Sequence, residues 1–398
     1  MWKNFKENYL IGYWNPLYSI LFLALLSAYF FGITGTNWAI TGEFTRWGGG
    51  ILELFGANVR DWAYFNVIGF KGNWWERVGG VTLVAMFVGA LIATLFASRF
   101  KLTMPVSKGR MIQAFIGGII SGFGARLGMG CNLASFFTGI PQFSLHAWLF
   151  TLMSILGIYL GIKIIQMPFL QSKAKLIKGS YPKKSQKHRD TFIWGVLLLL
   201  LSLGTIVWLM QSDQLGVKKS TLGIASLFGL LFGFVIAKGQ ICFTSAFRDL
   251  FLLGRGVVAK AIVLGMLIST FGVFAFIVLG VQPKITWVGF NILIGGFLFG
   301  LGITLAGGCE CGWLYRSMRG QVQYMIVGVG NLVGAVLVAY TWDSYAKTLA
   351  TSFPKINLLQ VFGNYGGLLI NYALLMALLL LIFFIEKRVQ AKIKQRVF

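Results

Sequence analysis

GGIISGFGARLGMGCNLASF, Gly117 to Phe136, and GGFLFGLGITLAGGCECGWL, Gly295 to Leu314, are one phrase written twice. Gly117/Gly295, Gly118/Gly296, Gly122/Gly300, Gly124/Gly302, Leu127/Leu305, Gly130/Gly308 and Cys131/Cys309 coincide at one constant offset. Each copy is apolar enough to enter a membrane, yet each breaks at an X-Gly-Cys turn. Backbone that leaves a helix at membrane depth must be buried in protein or line a cavity. The doubled break therefore predicts two discontinuous crossings in a duplicated membrane protein.

Composition agrees. The chain of 398 residues is 57% hydrophobic and 12% charged, against about 25% charged in soluble domains. Apolar spans are expected near 9–32, 78–98, 147–167, 192–210, 220–237, 257–281, 322–341 and 357–384, with broken crossings at 111–142 and 286–318. Several are long enough for a hydrocarbon core of about 30 Å. The opening MWKNFKENYLIGYW has no small-residue cleavage site and runs into the first span. A net charge of +24 would suggest nucleic acid in a soluble protein. Here the basic residues sit in short loops, so they read as a positive-inside signal and no nucleic-acid partner is expected.

The fold class is all-α: a polytopic integral membrane protein of about ten crossings. Basic loops at 99–110 and 173–189, and the tail from Lys387, belong on one side, the cytoplasm. They share it only if 111–142 is a net crossing. Both termini are then cytoplasmic, and the two phrases enter from opposite sides. That is an inverted repeat of the kind many secondary transporters use. The expected divisions are 1–172 for the first half, 173–190 for a basic cytoplasmic linker, 191–220 for a linking span, 221–386 for the second half and 387–398 for a basic tail.

Chemistry concentrates at the breaks. Gly130 and Cys131 precede NLASFFTGI, a candidate short helix, and Gly308 and Cys309 repeat the arrangement. A helix N-terminus offers unpaired amides and a positive dipole end to an anion. Cys242 opens ICFTSAFRDLF, where Thr244 adds a donor. The corresponding place in the first half carries ITGEFTRWGGGILELFG, Ile40 to Gly56, so four half-elements are expected to converge. A lone buried cysteine is usually a small hydrophobe, and glycine-rich membrane helices are usually packing surfaces. Three cysteines at helix breaks, two of them at one repeat position, outweigh that reading. The candidate pathway residues are Cys131, Cys242, Cys309, Gly130, Gly308, Asn132, Arg126, Glu310, Cys311 and Thr244. Arg126 and Glu310 are charges at membrane depth, functional by default, with a structural pair (Arg126 with Glu310, Glu43 with Arg46) as the alternative. His146 and His188 lack ligand spacing, so no metal site is expected. No phosphate-binding loop or cofactor motif appears, so no enzyme is expected. A membrane-bound thiol enzyme, a sulfur or selenium transferase or redox protein using Cys309 and Cys311, is the rival reading.

At GARLGMGCNLASFFTGIPQFSLHAW, GQICFTSAFRDLF and LAGGCECGWLYR the chain resembles the YeeE/YedE membrane family, the sulphur-transport family, over nearly its whole length. The stretch FGITGTNWAITGEFTRWGG resembles its YedE branch, which is associated with selenium metabolism. The resemblance implies a bacterial inner-membrane importer whose thiols at Cys131, Cys242 and Cys309 contact a small sulfur-bearing anion, thiosulfate-like or a selenium analogue. It also implies a small cytoplasmic sulfur carrier of the TusA type as partner. The first-half loop offers Thr41, Glu43 and Thr45 and no cysteine, which leaves the chalcogen open.

Overall fold

The computed structural model describes residues 6–105, 107–168, 191–211 and 219–397. The basic stretch 173–189 lies outside them. Among the described residues ten segments are long and apolar enough to cross a membrane. Their order matches the hydropathy reading, and among the described residues there is no strand. The chain is an all-α, multi-pass membrane protein.

The helices are α1 Pro16–Thr34, α2 Thr41–Leu54, α3 Val78–Phe96, α4 Lys108–Leu127, α5 Leu145–Ile165, α6 Phe192–Gln211, α7 Lys219–Gly239 and α8 Phe243–Leu253. They continue with α9 Val257–Val278, α10 Phe290–Ala306, α11 Glu310–Met318, α12 Val322–Ala346 and α13 Asn364–Val397. Both broken crossings are present. The long helices α4 and α10 stop before the cysteine, and a short element follows each. After Cys309 that element is the nine-residue α11, whereas after Cys131 it is a six-residue π-helical turn, Asn132–Phe137. The difference is local chemistry. Gly139 and Pro141 follow the first copy, and the residue before a proline is disfavoured in the α region. At the end of the chain α13 runs unbroken through the basic tail to Val397.

Packing exchanges in pairs. Helix α4 lies along α12 as α10 lies along α5; α3 lies along α7 as α1 lies along α9; and α4 crosses α10 at the centre. The repeated glycines make these crossings. A Cβ on Gly117 or Gly124 would strike the α10 backbone, and one on Gly295 or Gly302 the α4 backbone. Gly118 and Gly122 face α12, and Gly296 and Gly300 face α5, in the same manner. Helices in an apolar solvent gain little from hydrophobic burial, so close backbone approach through small residues supplies the association. Helix α6 stands apart from this core, resting on α3 and α7 with only Gly195 and Ile206 buried.

This assigns different outcomes to two glycine substitutions. In Gly122→Ala the new methyl meets the Asn331 carbonyl, and forced overpacking of this kind costs about 1–3 kcal/mol. Gly204→Ala in α6 has nothing within reach of its Cβ and gains up to about 1 kcal/mol of helix propensity. Thermal denaturation of the detergent-solubilised protein should therefore move down for the first and stay or rise for the second.

Candidate functional site

One backbone device recurs at three cysteines. Met129, Gln240 and Gly307 are left-handed, with φ of 56°, 50° and 82°, and each stands two residues before a cysteine. The intervening Gly130, Ile241 and Gly308 donate their amides five residues back, to Ala125 (2.8 Å), Ile236 (3.2 Å) and Ile303 (3.0 Å). This is a Schellman stop, which satisfies the last carbonyls of a helix. The next residue, Cys131, Cys242 or Cys309, is the N-cap of the following short element. Its carbonyl accepts from Ser135, Ala246 or Trp313 respectively. A helix thus ends and another begins with the cysteine at the bend. The left-handed conformation costs a non-glycine residue about 1–2 kcal/mol, and Met129 and Gln240 both adopt it.

The bends meet. Cys309 Sγ lies 3.7 Å from Cys242 Sγ, and the Phe243 amide, the first of α8, donates to Cys309 Sγ at 3.3 Å. Cys311 follows two residues later on the first turn of α11, buried like Cys309. In the other half the backbone of Leu133, Ala134 and Ile40 lies against the Cys131 thiol, and Ile40 is the N-cap of α2. Each long-helix break therefore faces the start of one half-helix, and Ile40 takes the place that Cys242 takes opposite. All four cysteines are free, and all are buried, 0–1% exposed. Around them, Thr41 Oγ1, Arg126 Nε, Asn132 Nδ2, Thr244 Oγ1 and Glu310 Oε2 have no hydrogen-bond partner. Glu310 Oε1 accepts from Asn331 Nδ2 at 3.2 Å.

Aromatic rings close the cluster. Phe243 packs edge-on against Phe136 and Phe137, Trp38 against Phe137, and Trp313 against Phe44. The void beside Cys311 among Trp38, Phe137 and Phe243 is only about 10 Å³, about one water-sized probe. On the Cys131 side, by contrast, a cavity of about 560 Å³ opens, lined by Arg46, Arg77, Arg126 and Lys284 with Glu43 and Glu76. Glu43 binds Arg46 at 2.6 Å and Arg77 at 3.0 Å. Among the described residues Arg126 and Lys284 pair with no carboxylate; Arg126 lies 5.2 Å from the Tyr64 ring centroid. Lys284 is exposed to the cavity it helps to line, with protein packed around its stem. That packing, with the Arg126 and Arg46 guanidiniums beside it, pulls its ammonium down to about 8. Beyond Cys309, Arg316 donates to the Gly307 carbonyl at 3.1 Å and to the Tyr324 hydroxyl at 2.7 Å.

The sulphur transport family profile matches residues 2–160 and 238–397. The chain belongs to the sulphur-transport family. It is 49% identical over 391 residues to the probable transporter YedE of Escherichia coli, covering 97% of this chain and 96% of that protein. The YedE of Salmonella typhimurium matches equally, at 49% over the same lengths. The thiosulfate transporter TsuA of Escherichia coli is 38% identical over 98 residues, 24% of this chain and 27% of that one.

Within this family member, the structure brings Cys242 and Cys309 into thiol contact, with Glu310 and Cys311 following Cys309 on the first turn of α11. Cys131 and Asn132 sit at the vestibule side of the same cluster. The Glu43–Arg46 pair forms, whereas Arg126 and Glu310 do not pair. Gly130 and Gly308 are turn residues: a Cβ on Gly130 would collide with Ser135 Oγ, and one on Gly308 would crowd Tyr324. Sequence reasoning passed over Arg77, Lys284, Arg316 and Asn331. Lys284 and Arg316 were visible as basic residues at the second broken segment, Arg77 as a basic residue at the start of the span from Val78, and Asn331 as an amide in an apolar helix.

Burial of the thiols has a direct consequence. A charged, membrane-impermeant maleimide should leave the four cysteines of the folded, detergent-solubilised protein largely unmodified, and label all four once the protein is denatured. Mass spectrometry counts the adducts; rapid labelling of Cys242 or Cys309 in the folded state would contradict the closed cluster.

Proposed function

We propose that this protein takes up a small sulfur-bearing dianion of the thiosulfate class, or its selenium analogue, across the bacterial inner membrane. The observation that carries the reading is the meeting of the Cys242 and Cys309 bends, together with the Cys131 bend whose Met129 lines a cationic vestibule. In this reading the vestibule faces outward, both termini are cytoplasmic, and the two halves form an inverted repeat. The reciprocal helix pairing and the repeated glycine contacts support the repeat, and the loop charges support the orientation.

Recognition proceeds in two stages. Arg126 and Lys284, free of carboxylates, attract the oxyanion end; Arg46 and Arg77 are neutralised in part by Glu43. The anion then meets Cys131, Asn132 and the amides near Ile40, and next Cys309, Cys242, Cys311 and Thr244. Thiols are weak donors suited to a soft, polarisable sulfur or selenium atom, while half-helix amides suit the charge. Sulfate has the charge without the soft atom. Several modest sites in series bind firmly enough to admit an anion and weakly enough to release it. The phenylalanine and tryptophan rings must part for passage, so the closed cluster is one state of a gated cycle. Family membership and the likeness to proteins named as transporters support transport over thiol enzymology.

In proteoliposomes, thiosulfate uptake should fall by roughly tenfold or more in Cys131→Ala and Cys309→Ala, the loss expected from removing one contact of about 1.4 kcal/mol. Undiminished uptake in both would remove the thiols from the pathway. A persulfide on Cys309 or Cys311 during turnover would instead favour the enzyme reading. Lys284 gives a pH signature. Its ammonium loses charge as pH rises through about 8, so the half-saturating anion concentration should climb there. Lys284→Gln should raise that concentration roughly fivefold at neutral pH, about 1 kcal/mol for one partly screened charge, and flatten the alkaline rise.

A further inference from the structure

The transport reading leaves one group unexplained. Glu310 follows Cys309 directly and is 1% exposed. One carboxylate oxygen accepts from Asn331 Nδ2, which is also 3.3 Å from Ser121 Oγ. The other oxygen has no partner. The thiols of Cys131, Cys242, Cys309 and Cys311, from the elements that converge here, lie within electrostatic reach of it. From α12 comes the Asn331 amide, and from α4 the Ser121 hydroxyl. Helix α3, packed on α11, carries no charged residue within Val78–Phe96. Lys238 of α7 is engaged by the carbonyls of Leu10 and Gly12, and Arg316 of α11 by Gly307, Tyr315 and Tyr324. No cation pairs with Glu310 among the described residues.

An ionised carboxylate in this position stands in the way of any anion that reaches the thiols. Like charges brought close together in a desolvated site cannot both remain ionised without large cost. The repeat makes the contrast internal, because the residue after Cys131 is the neutral amide Asn132, whose Nδ2 is likewise unpartnered. We propose that Glu310 is the proton site of a coupled importer: it takes up one proton as the anion enters the thiol cluster and gives it up on the inner side after the anion leaves. Anion and proton then move inward together, and an inward proton gradient drives accumulation. This rests on the transport reading above.

Two measurements on the full-length purified protein test it, with thiosulfate as probe. In calorimetric titrations in buffers of different ionisation enthalpy, between about pH 6.5 and 8.5, the wild type should take up as much as one more proton per anion bound than Glu310→Gln. Glutamine keeps the acceptor for Asn331, and Lys284 contributes equally to both proteins. At pH values where Glu310 of the free protein is ionised, the wild-type affinity should fall about tenfold per pH unit relative to the variant, the slope for one linked proton. In proteoliposomes an inward proton gradient should drive uphill uptake by the wild type, while Glu310→Gln supports downhill uptake alone. Equal proton counts in the two proteins, or uphill uptake by Glu310→Gln, would overturn the proposal. Should the variant fail to fold, wild-type uptake indifferent to the proton gradient overturns it equally. Absence of any thiosulfate binding or uptake by the wild type would instead strike the transport reading itself, and this proposal with it.

Discussion

A helix that stops inside a membrane must satisfy its own last carbonyls and offer its successor's first amides to something. The rest of the structure depends on how this is done. At Cys131, Cys242 and Cys309 the stop is closed by an amide reaching five residues back, and the restart begins on the very next residue. No loop separates the two helices. The unpaired amides of each new helix therefore stay at depth, beside a thiol, where water is scarce and their field is strong. Close packing of α4, α10, α5 and α12 through glycine keeps lipid away from these bends.

From that constraint a graded arrangement follows. A cationic cavity, with Met129 and Arg126 in its lining, lies on the Cys131 side of a closed cluster of thiols and unpaired hydroxyl, amide and carboxyl groups, and Arg316 stands behind the Cys309 turn. The vestibule's charge is balanced only in part. Glu43 spends both oxygens on Arg46 and Arg77, which leaves Arg126 and Lys284 as its active cations. In the transport reading proposed above, charge selects at the mouth and polarisability at the cluster, so each stage rejects what the other would admit.

The two copies of the phrase have diverged in what they present. Opposite Cys309 stands a second thiol on α8; opposite Cys131 stands Ile40 on α2. Pro141 shortens the element after Cys131 to a π-helical turn, while the second copy extends for nine residues. The next position is an amide in one copy and an acid in the other. The two copies have thus kept their backbone device and their glycines while the side chains around the cysteines became unequal.

Much of this was legible in the sequence. Hydropathy alone located the ten crossings, because a bilayer imposes length and apolarity on each segment independently of its neighbours. The paired glycines and cysteines located the two breaks for a related reason: a helix stop is a local event, written in a few consecutive residues. That Gln240, an ordinary side chain, adopts the same left-handed turn as Gly307 was not legible, since its conformation is held by the surrounding fold. Nor could the sequence bring Cys242 to Cys309, assemble Lys284 and Arg77 into one vestibule with Arg126, or leave Glu310 without a cation. Those are distances between segments far apart in the chain, and only the packing of helices against one another sets them.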